Sequence, residues 1–290
     1  MWQEKIQVQP PYDFSLVLQK LGQQPLVCMD LNEQWIRVPM YIEREPVVVS
    51  VQSIGSRQEP CFLVSADQAK FKDEIIERIA TIFQWNVPLK PIQEHFLQTE
   101  LRDLFIRFEG MPLMLDVDLY FCLLKCIIHQ QVNMTFAYRL TERFVKQFGM
   151  EKDGVWFYPQ PETVASLHYD DVRALQFSAK KAEYIIDLSK MVAEGMLDLN
   201  ELASQSDEEI MKRLLPIRGV GPWTVQNFLL FGLGRPNIFP KADLGLQKAM
   251  QRLLALEKKP TMEQMDAMSE RWKPYLSYAT FYLWRSIEGE

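Results

Sequence analysis

Residues 214–228 read Leu214-Leu-Pro-Ile-Arg-Gly-Val-Gly-Pro-Trp-Thr-Val-Gln-Asn-Phe228, and they set Gly219-Val220-Gly221 between two stretches of helical apolar periodicity. The second stretch opens at Pro222, which suits a first helical position because the missing N–H has no intrahelical partner there. Two glycines around one apolar residue permit a tight turn with positive φ and leave backbone amides open at a helix N-terminus. Such amides, helped by the helix dipole, bind phosphate without regard to base sequence. Taken alone, Gly-x-Gly is equally an ordinary turn between helices.

Working outward, the hairpin is followed by Phe239-Pro-Lys-Ala-Asp-Leu-Gly245, which puts Asp243 twenty positions after Trp223 and in front of another amphipathic stretch. From about residue 116 to the C-terminus almost everything reads as helix, in short pieces separated by Gly, Pro and capping residues. Ser206-x-x-Glu209 and Thr261-x-x-Gln264 fit the capping box, and Pro274, like Pro222, fits a first helical position. Upstream, residues 1 to about 110 mix strand and helix. The strand candidates are Trp35-Ile-Arg-Val38, Val47-Val-Val-Ser-Val51 and Phe62-Leu-Val-Ser65, and one helix carries Ile75, Ile76, Ile79, Ile82 and Phe83 on a single face. Gly110-Met-Pro112 breaks the chain between the two textures. The pattern predicts an α+β fold: residues 1–112 as a small antiparallel sheet with a helix, and residues 113–290 as a helical core.

A chain of 290 residues with 48% apolar residues can fill more than one core, so two or three domains are expected. No run of eighteen apolar residues occurs that would span a bilayer, and no basic start precedes an apolar run, so a soluble, cytoplasmic protein without a membrane partner is expected. Cys28, Cys61, Cys122 and Cys126 lack the close paired spacings of a zinc site and read as buried reduced thiols, and His95, His129 and His168 complete no metal cluster. The net charge of -6 argues weakly against a nucleic-acid partner. Its distribution argues the other way: residues 211–260 hold nine basic side chains against two acidic ones, a local excess of nine minus two, or seven. A solvated basic helix face explains that excess equally well.

The hairpin with Asp243 at this distance resembles the signature of the helix-hairpin-helix DNA glycosylases. Gln9-Pro-Pro-Tyr-Asp-Phe14 looks like the opening strand motif of one branch, the bacterial type II 3-methyladenine DNA glycosylases. Ile127-Ile-His-Gln-Gln-Val132 resembles the DNA-facing segment of that branch, and Glu270-Arg-Trp-Lys-Pro-Tyr275, Ser277-Tyr-Ala279 and Trp284 resemble its last helices. The matches come in the right order over nearly the whole chain, and the spaced cysteines that hold an iron-sulfur cluster in other branches are absent. The resemblance implies a TBP-like N-terminal domain and a glycosylase core of two helical subdomains with the DNA cleft between them. It also implies a nucleoid-associated monomer that acts on double-stranded DNA with damaged bases in base excision repair.

Breaking an N-glycosidic bond builds positive charge on the sugar, so a fixed carboxylate beside the anomeric carbon lowers the barrier. Asp243 is the candidate, and it can also orient or deprotonate the attacking water. Its other reading is a cap for the helix starting near Leu244, and the two roles are compatible. A purine alkylated on a ring nitrogen is a cationic leaving group that favours an aromatic pocket. By resemblance Trp223 and Trp284 line it, core packing being the alternative for Trp284, while Tyr278 and Phe281 read as core. Bifunctional relatives carry a nucleophilic lysine where this chain has Trp223, so hydrolysis without strand cleavage is expected.

DNA contacts carried over from the resemblance are Gly219, Val220, Gly221, Thr224 and Lys241, with Gln130 and Gln131 in the loop that fills the gap left by the flipped base. Gln131 is the wedge candidate; both glutamines also read as helix-end caps. No cofactor is required, but the family implies one Na+ or K+ held by the main-chain carbonyls of Leu215, Ile217 and Val220. Three other functions remain open at this level. A glycosylase for oxidised or mismatched bases keeps the enzyme class, whereas a non-catalytic helix-hairpin-helix module or a helical protein adaptor needs no Asp243. Lesion preference is not legible.

Overall fold

In the computed structural model, which describes residues 1–288, five strands form one antiparallel sheet: β1 (Trp2–Gln7), β2 (Cys28–Asp30), β3 (Trp35–Ile42), β4 (Glu45–Ser53) and β5 (Cys61–Ala66). Their order is β1-β5-β4-β3-β2. Alternation decides which face is covered: Ile36, Val38 and Met40 of β3 lie opposite Val51, Val49 and Val47 of β4, and all six are buried. Glu43 and Arg44 both take positive φ, the geometry of a two-residue hairpin whose twist matches the strands. The three strand candidates of the sequence are β3, β4 and β5; β1 and β2 escaped it, β2 having only three residues and neither strand a fully buried one.

Two helices cover the apolar face. In α1 (Phe14–Leu21) Phe14, Val17 and Leu18 are buried, and in α2 (Lys72–Ile82) Ile75, Ile79 and Ile82 are, with Ile76 only half-buried. The Phe14 ring meets Phe62 of the sheet at 5.1 Å and Phe83 at 6.0 Å. Gln9-Pro-Pro-Tyr-Asp-Phe14 is not a strand, contrary to expectation. Two prolines cannot donate to a ladder, and Asp13 instead caps α1 by accepting the Leu16 amide at 3.1 Å.

The helical part begins earlier than its texture suggests, with α3 (Leu89–Phe96) and α4 (Arg102–Arg107). It continues after an extended segment with α5 (Leu119–His129) and α6 (Met134–Phe148). An unexpected hairpin interrupts it: β6 (Met150–Lys152) and β7 (Val155–Phe157), turning at Asp153-Gly154, both with positive φ. There follow α7 (Pro161–Ala165), α8 (Tyr169–Arg173), α9 (Ala179–Ala193), α10 (Leu199–Ala203), α11 (Asp207–Leu214) and α12 (Pro222–Asn227). A π-helical turn over Phe228–Gly232 extends α12, and α13 (Leu244–Leu253), α14 (Met262–Ser269) and α15 (Leu276–Ser286) complete the chain.

The helices pack in two sets. One gathers α5 to α12 around α5 and α9; the other joins α13 and α15, and α15 also packs on α4. Tyr282 of α15 donates its hydroxyl to the carbonyls of Phe108 and Met111 (3.1 and 2.7 Å), and Trp272 donates to Glu100 at 3.0 Å, which ties the C-terminal helices to the segment before residue 112. Both capping boxes form as read, with reciprocal bonds at Ser206/Glu209 and Thr261/Gln264. Pro274 does not open a helix: it sits in the turn before α15, two residues short of Leu276. Cys122 and Cys126 are buried thiols, whereas Cys28 and Cys61 on the sheet are half-buried.

Candidate active site

Between α11 and α12 the chain turns through residues 215–221. Gly219 takes φ +89, and a Cβ there would stand 2.3 Å from the ring of Tyr184 on α9, so both backbone and packing require glycine. Gly221 differs from the expectation of two positive-φ glycines. It is the extended N-cap of α12 (φ -108, ψ 176), and a Cβ on it would meet nothing within 4 Å. Neither strain nor packing selects glycine at 221; it leaves the main chain open to an approaching group. Val220 is 6% exposed and anchors the turn, so only its main chain is available. Its amide donates to the Ile217 carbonyl at 3.0 Å, while the amides of Trp223 and Thr224, in the first turn of α12, have no partner within the helix. Among the described residues the carbonyls of Leu215 and Val220 accept no backbone bond outside the helices.

Asp243 is the N-cap of α13, and its Oδ1 accepts the Leu246 amide at 2.7 Å. Both indoles singled out in the sequence converge on the same carboxylate. Trp223 Nε1 donates to Oδ2 at 2.8 Å, and Trp284 Nε1 donates to Oδ1 at 2.9 Å. Three donors on four lone-pair sites leave the group oriented and still able to accept from one further molecule. Trp284 is half-buried rather than core, stacked on Phe231 at 6.0 Å and 22°. Tyr278 and Phe281 are buried, as read. Gly245, missed in the sequence, keeps this contact open: a Cβ there would lie 3.1 Å from Asp243 Oδ1 and 3.6 Å from the Trp284 ring.

The glutamine pair divides its work. Gln130 Nε2 donates to the Gly219 carbonyl at 2.8 Å and to Thr224 Oγ1 at 2.7 Å, which fastens the end of α5 to the hairpin. Thr224 itself is 1% exposed. The side chains of Gln130 and Thr224, both named as DNA contacts from the resemblance, are bonded to each other, and Gln130 is the C-cap of α5, its other reading. Gln131 is exposed and held at φ +55, so the loop pushes this one side chain outward. Lys241 is engaged by both oxygens of Asp266 at 2.6 and 2.7 Å, rather than facing solvent alone. Arg218 pairs with Glu183 and Arg235 with Asp207, so acids from outside residues 211–260 offset part of the basic excess counted there.

The glycine turn and the carboxylate that follows it lie within one stretch that matches a known family. The model of the HhH-GPD superfamily of base excision DNA repair proteins matches residues 124–274, just over half of the chain. The chain belongs to this superfamily. It is 54% identical to the Bacillus subtilis protein named "Putative DNA-3-methyladenine glycosylase YfjP", over 99% of this chain and 100% of that one. A second B. subtilis relative, a DNA-3-methyladenine glycosylase, is 35% identical over 74% of this chain and 73% of its own length. Among solved structures, the 3-methyladenine DNA-glycosylase of Archaeoglobus fulgidus superposes with a TM-score of 0.87 over 100% of both chains, at 23% identity, a likeness of fold. The superfamily match spans the hairpin and Asp243 but stops short of Trp284. Among the described residues, no helix is long and apolar enough to cross a membrane.

Proposed function

We propose that this protein is a monofunctional DNA glycosylase that takes alkylated purines out of the duplex stack and hydrolyses their N-glycosidic bonds, as a monomer. The observation that carries the reading is the Asp243 carboxylate, held by Trp223, Trp284 and the Leu246 amide at 2.7–2.9 Å. A charge fixed in advance stabilises the developing cation on the sugar without reorganising at the moment of reaction, which is commonly worth about 3–4 kcal/mol. The remaining lone pair of Asp243 suits a water directed at the anomeric carbon. Trp284 stacked on Phe231 offers electron-rich faces to a flat cationic base.

The rest of the machinery follows from the hairpin. The open main chain at Gly221 and the first amides of α12 take a DNA phosphate, with Lys241 nearby. Carbonyl oxygens of Leu215, Ile217 and Val220 fit a Na+ or K+, a hard cation that takes oxygen ligands, because two of the three carry no backbone donor among the described residues. Such an ion would supply positive charge toward the same phosphate. Gln131, pushed outward, enters the space left by the extruded nucleotide.

Absence of lyase chemistry is supported by Trp223, which stands where a nucleophilic amine would be needed. The test is to incubate wild type and Asp243→Asn with methylated duplex DNA and to score free base and strand breaks separately. Base release by wild type alone, with breaks only after alkali, is the expected result; direct nicking refutes the monofunctional reading.

A further inference from the structure

β1 is the last strand of its sheet, with β5 as its one neighbour. The Val8 amide donates to the Pro60 carbonyl at 3.0 Å, and bonding in an antiparallel ladder alternates from there, so Trp2, Glu4 and Ile6 bond inward to β5. The N–H and C=O groups of Gln3, Lys5 and Gln7 consequently point outward, an open edge on which another strand can form.

A groove of about 370 Å³ runs along this edge under α2. Ile6 and Val8 of β1, Ile76 and Ala80 of α2 and the ring of Trp85 give it an apolar floor. Ile76 belongs to the face of α2 that the sequence marks as covered; it is only half-buried because it overhangs the sheet at its last strand. The rim is acidic. Asp73 and Glu77, exposed and one turn apart, border the same groove. Their neighbours are paired, Glu4 with Lys72 and Glu74 with Arg78, whereas Asp73 and Glu77 form no ion pair among the described residues. Asp73 also suits the first turn of α2, but Glu77 lies beyond that turn.

An occupant of this groove has to meet three outward main-chain positions, the apolar floor and two unpaired carboxylates at once. An extended segment with Lys or Arg at alternate positions does so: residues i and i+2 on one face of a strand are about 6.6 Å apart, and the turn from Asp73 to Glu77 rises about 6 Å. A second copy of this chain fits worse. The register that pairs all three outward residues of two β1 strands sets Lys5 opposite Lys5 of the copy, and like charges directly opposite are destabilising.

We infer that the groove between β1 and α2 takes an extended, basic segment of a partner protein, which adds a sixth strand beside β1 and sets its cations against Asp73 and Glu77. Main-chain bonds to Gln3, Lys5 and Gln7 hold the segment, and the acidic rim selects its side chains. None of the groove residues belongs to the hairpin, the Gln131 loop or the setting of Asp243, so this surface is separate from the reaction site.

The probe is the peptide acetyl-Val-Thr-Lys-Thr-Lys-Thr-Val-amide, whose Val and Lys side chains share one face in either strand direction. It is titrated into the isotope-labelled full chain and followed by NMR amide exchange. Saturable binding is expected, with exchange slowed at Gln3, Lys5 and Gln7, and no binding of the same peptide with Glu in place of Lys. Asp73→Asn with Glu77→Gln is expected to weaken binding by about 10-fold. Lys5→Pro removes one outward N–H and no bond to β5, so it is expected to abolish binding, whereas a merely electrostatic contact would strengthen when a lysine is lost. Should Lys5→Pro not fold, the exchange pattern in wild type decides.

No binding at about 1 mM peptide overturns the inference. So do binding that leaves the three amides unprotected, equal binding of the Glu peptide, or an affinity unchanged in either variant. Protection of the same amides without peptide, together with a dimer in sedimentation, makes the occupant a second copy and equally refutes it.

Discussion

Trp284 Nε1 and the Leu246 amide share one acceptor, Asp243 Oδ1, at 2.9 and 2.7 Å. The C-terminal helix and the first turn of α13 therefore hold the same oxygen, and a carboxylate that caps a helix is by that fact immobilised for chemistry.

Replacing Asp243 by Asn separates the two roles. Asparagine caps a helix about as well as aspartate, so the melting temperature is expected to stay within about 2 °C of wild type. Excision from methylated duplex DNA is expected to fall by at least about 100-fold, because the charge is gone. A variant with both its stability and its rate intact removes Asp243 from the mechanism.

Trp284→Phe keeps a ring against Phe231 but removes the indole donor. The expected loss is about 10-fold in single-turnover rate, the size of one hydrogen bond to a charged group. Trp284→Ala, which also removes the stacking face, is expected to lose more, and equal losses in the two variants assign the effect to the hydrogen bond alone.

The two hairpin glycines have opposite roles. Gly219→Ala puts a methyl group into the Tyr184 ring at positive φ and is expected to destabilise the fold by about 1–3 kcal/mol in urea unfolding. Gly221→Ala meets open space, so stability is expected to change little while affinity for duplex DNA drops. The reverse ranking in paired unfolding and binding measurements contradicts this assignment.

Gln130→Ala removes both bonds that tie α5 to the hairpin and is expected to cost about 1–2 kcal/mol of stability. Gln131→Ala touches no internal partner, so its melting curve is expected to overlay wild type while base extrusion, followed by a fluorescent base analogue, slows. Identical behaviour of the two variants argues against the division of work.

His129 gives a pH dependence. Burial first, then the charges of Lys125 and Lys181, push its pKa from an ordinary 6.5 down to about 3, so the ring is neutral in the folded chain at pH 7. The unfolded chain takes up this proton as pH falls through 6.5, the folded chain only near 3. The stability it contributes is complete above about pH 6.5 and is lost progressively between there and about pH 3. His129→Gln is expected to flatten that part of the curve, measured as unfolding midpoints against pH.

Much of this was legible in the linear pattern because its causes are local. The run of β-branched residues over 47–51 predicts a strand, Ser206 and Glu209 cap a helix by reaching three residues, and Gly219-Val-Gly221 announces a turn before a proline-led helix. The Asp153-Gly154 hairpin was equally local and was overlooked within a helical stretch. That Gln130 ties α5 to the hairpin was not legible, because its partners, Gly219 and Thr224, lie some ninety residues away. Lys125, a lone charge in the apolar run Leu123-Leu-Lys-Cys-Ile-Ile128, was a signal without a visible partner until the fold brought Asp116 beside it.

What the sequence determined by itself was the α+β layout, strands before helices, together with the two capping boxes and the glycine turn between helices, since each rests on residue type, periodicity and short spacing; Asp243 and its two indoles were named through the family resemblance. Only the tertiary structure decided that Trp223 and Trp284 grip opposite oxygens of Asp243, and that Gly219 alone takes the positive φ. The pairing of Lys20 with Glu288, from opposite ends of the chain, was likewise tertiary. The reason is geometric: a hydrogen bond or ion pair acts over about 3 Å, and which distant residues come that close is set by how whole helices and the sheet pack, a property no local stretch of chain carries.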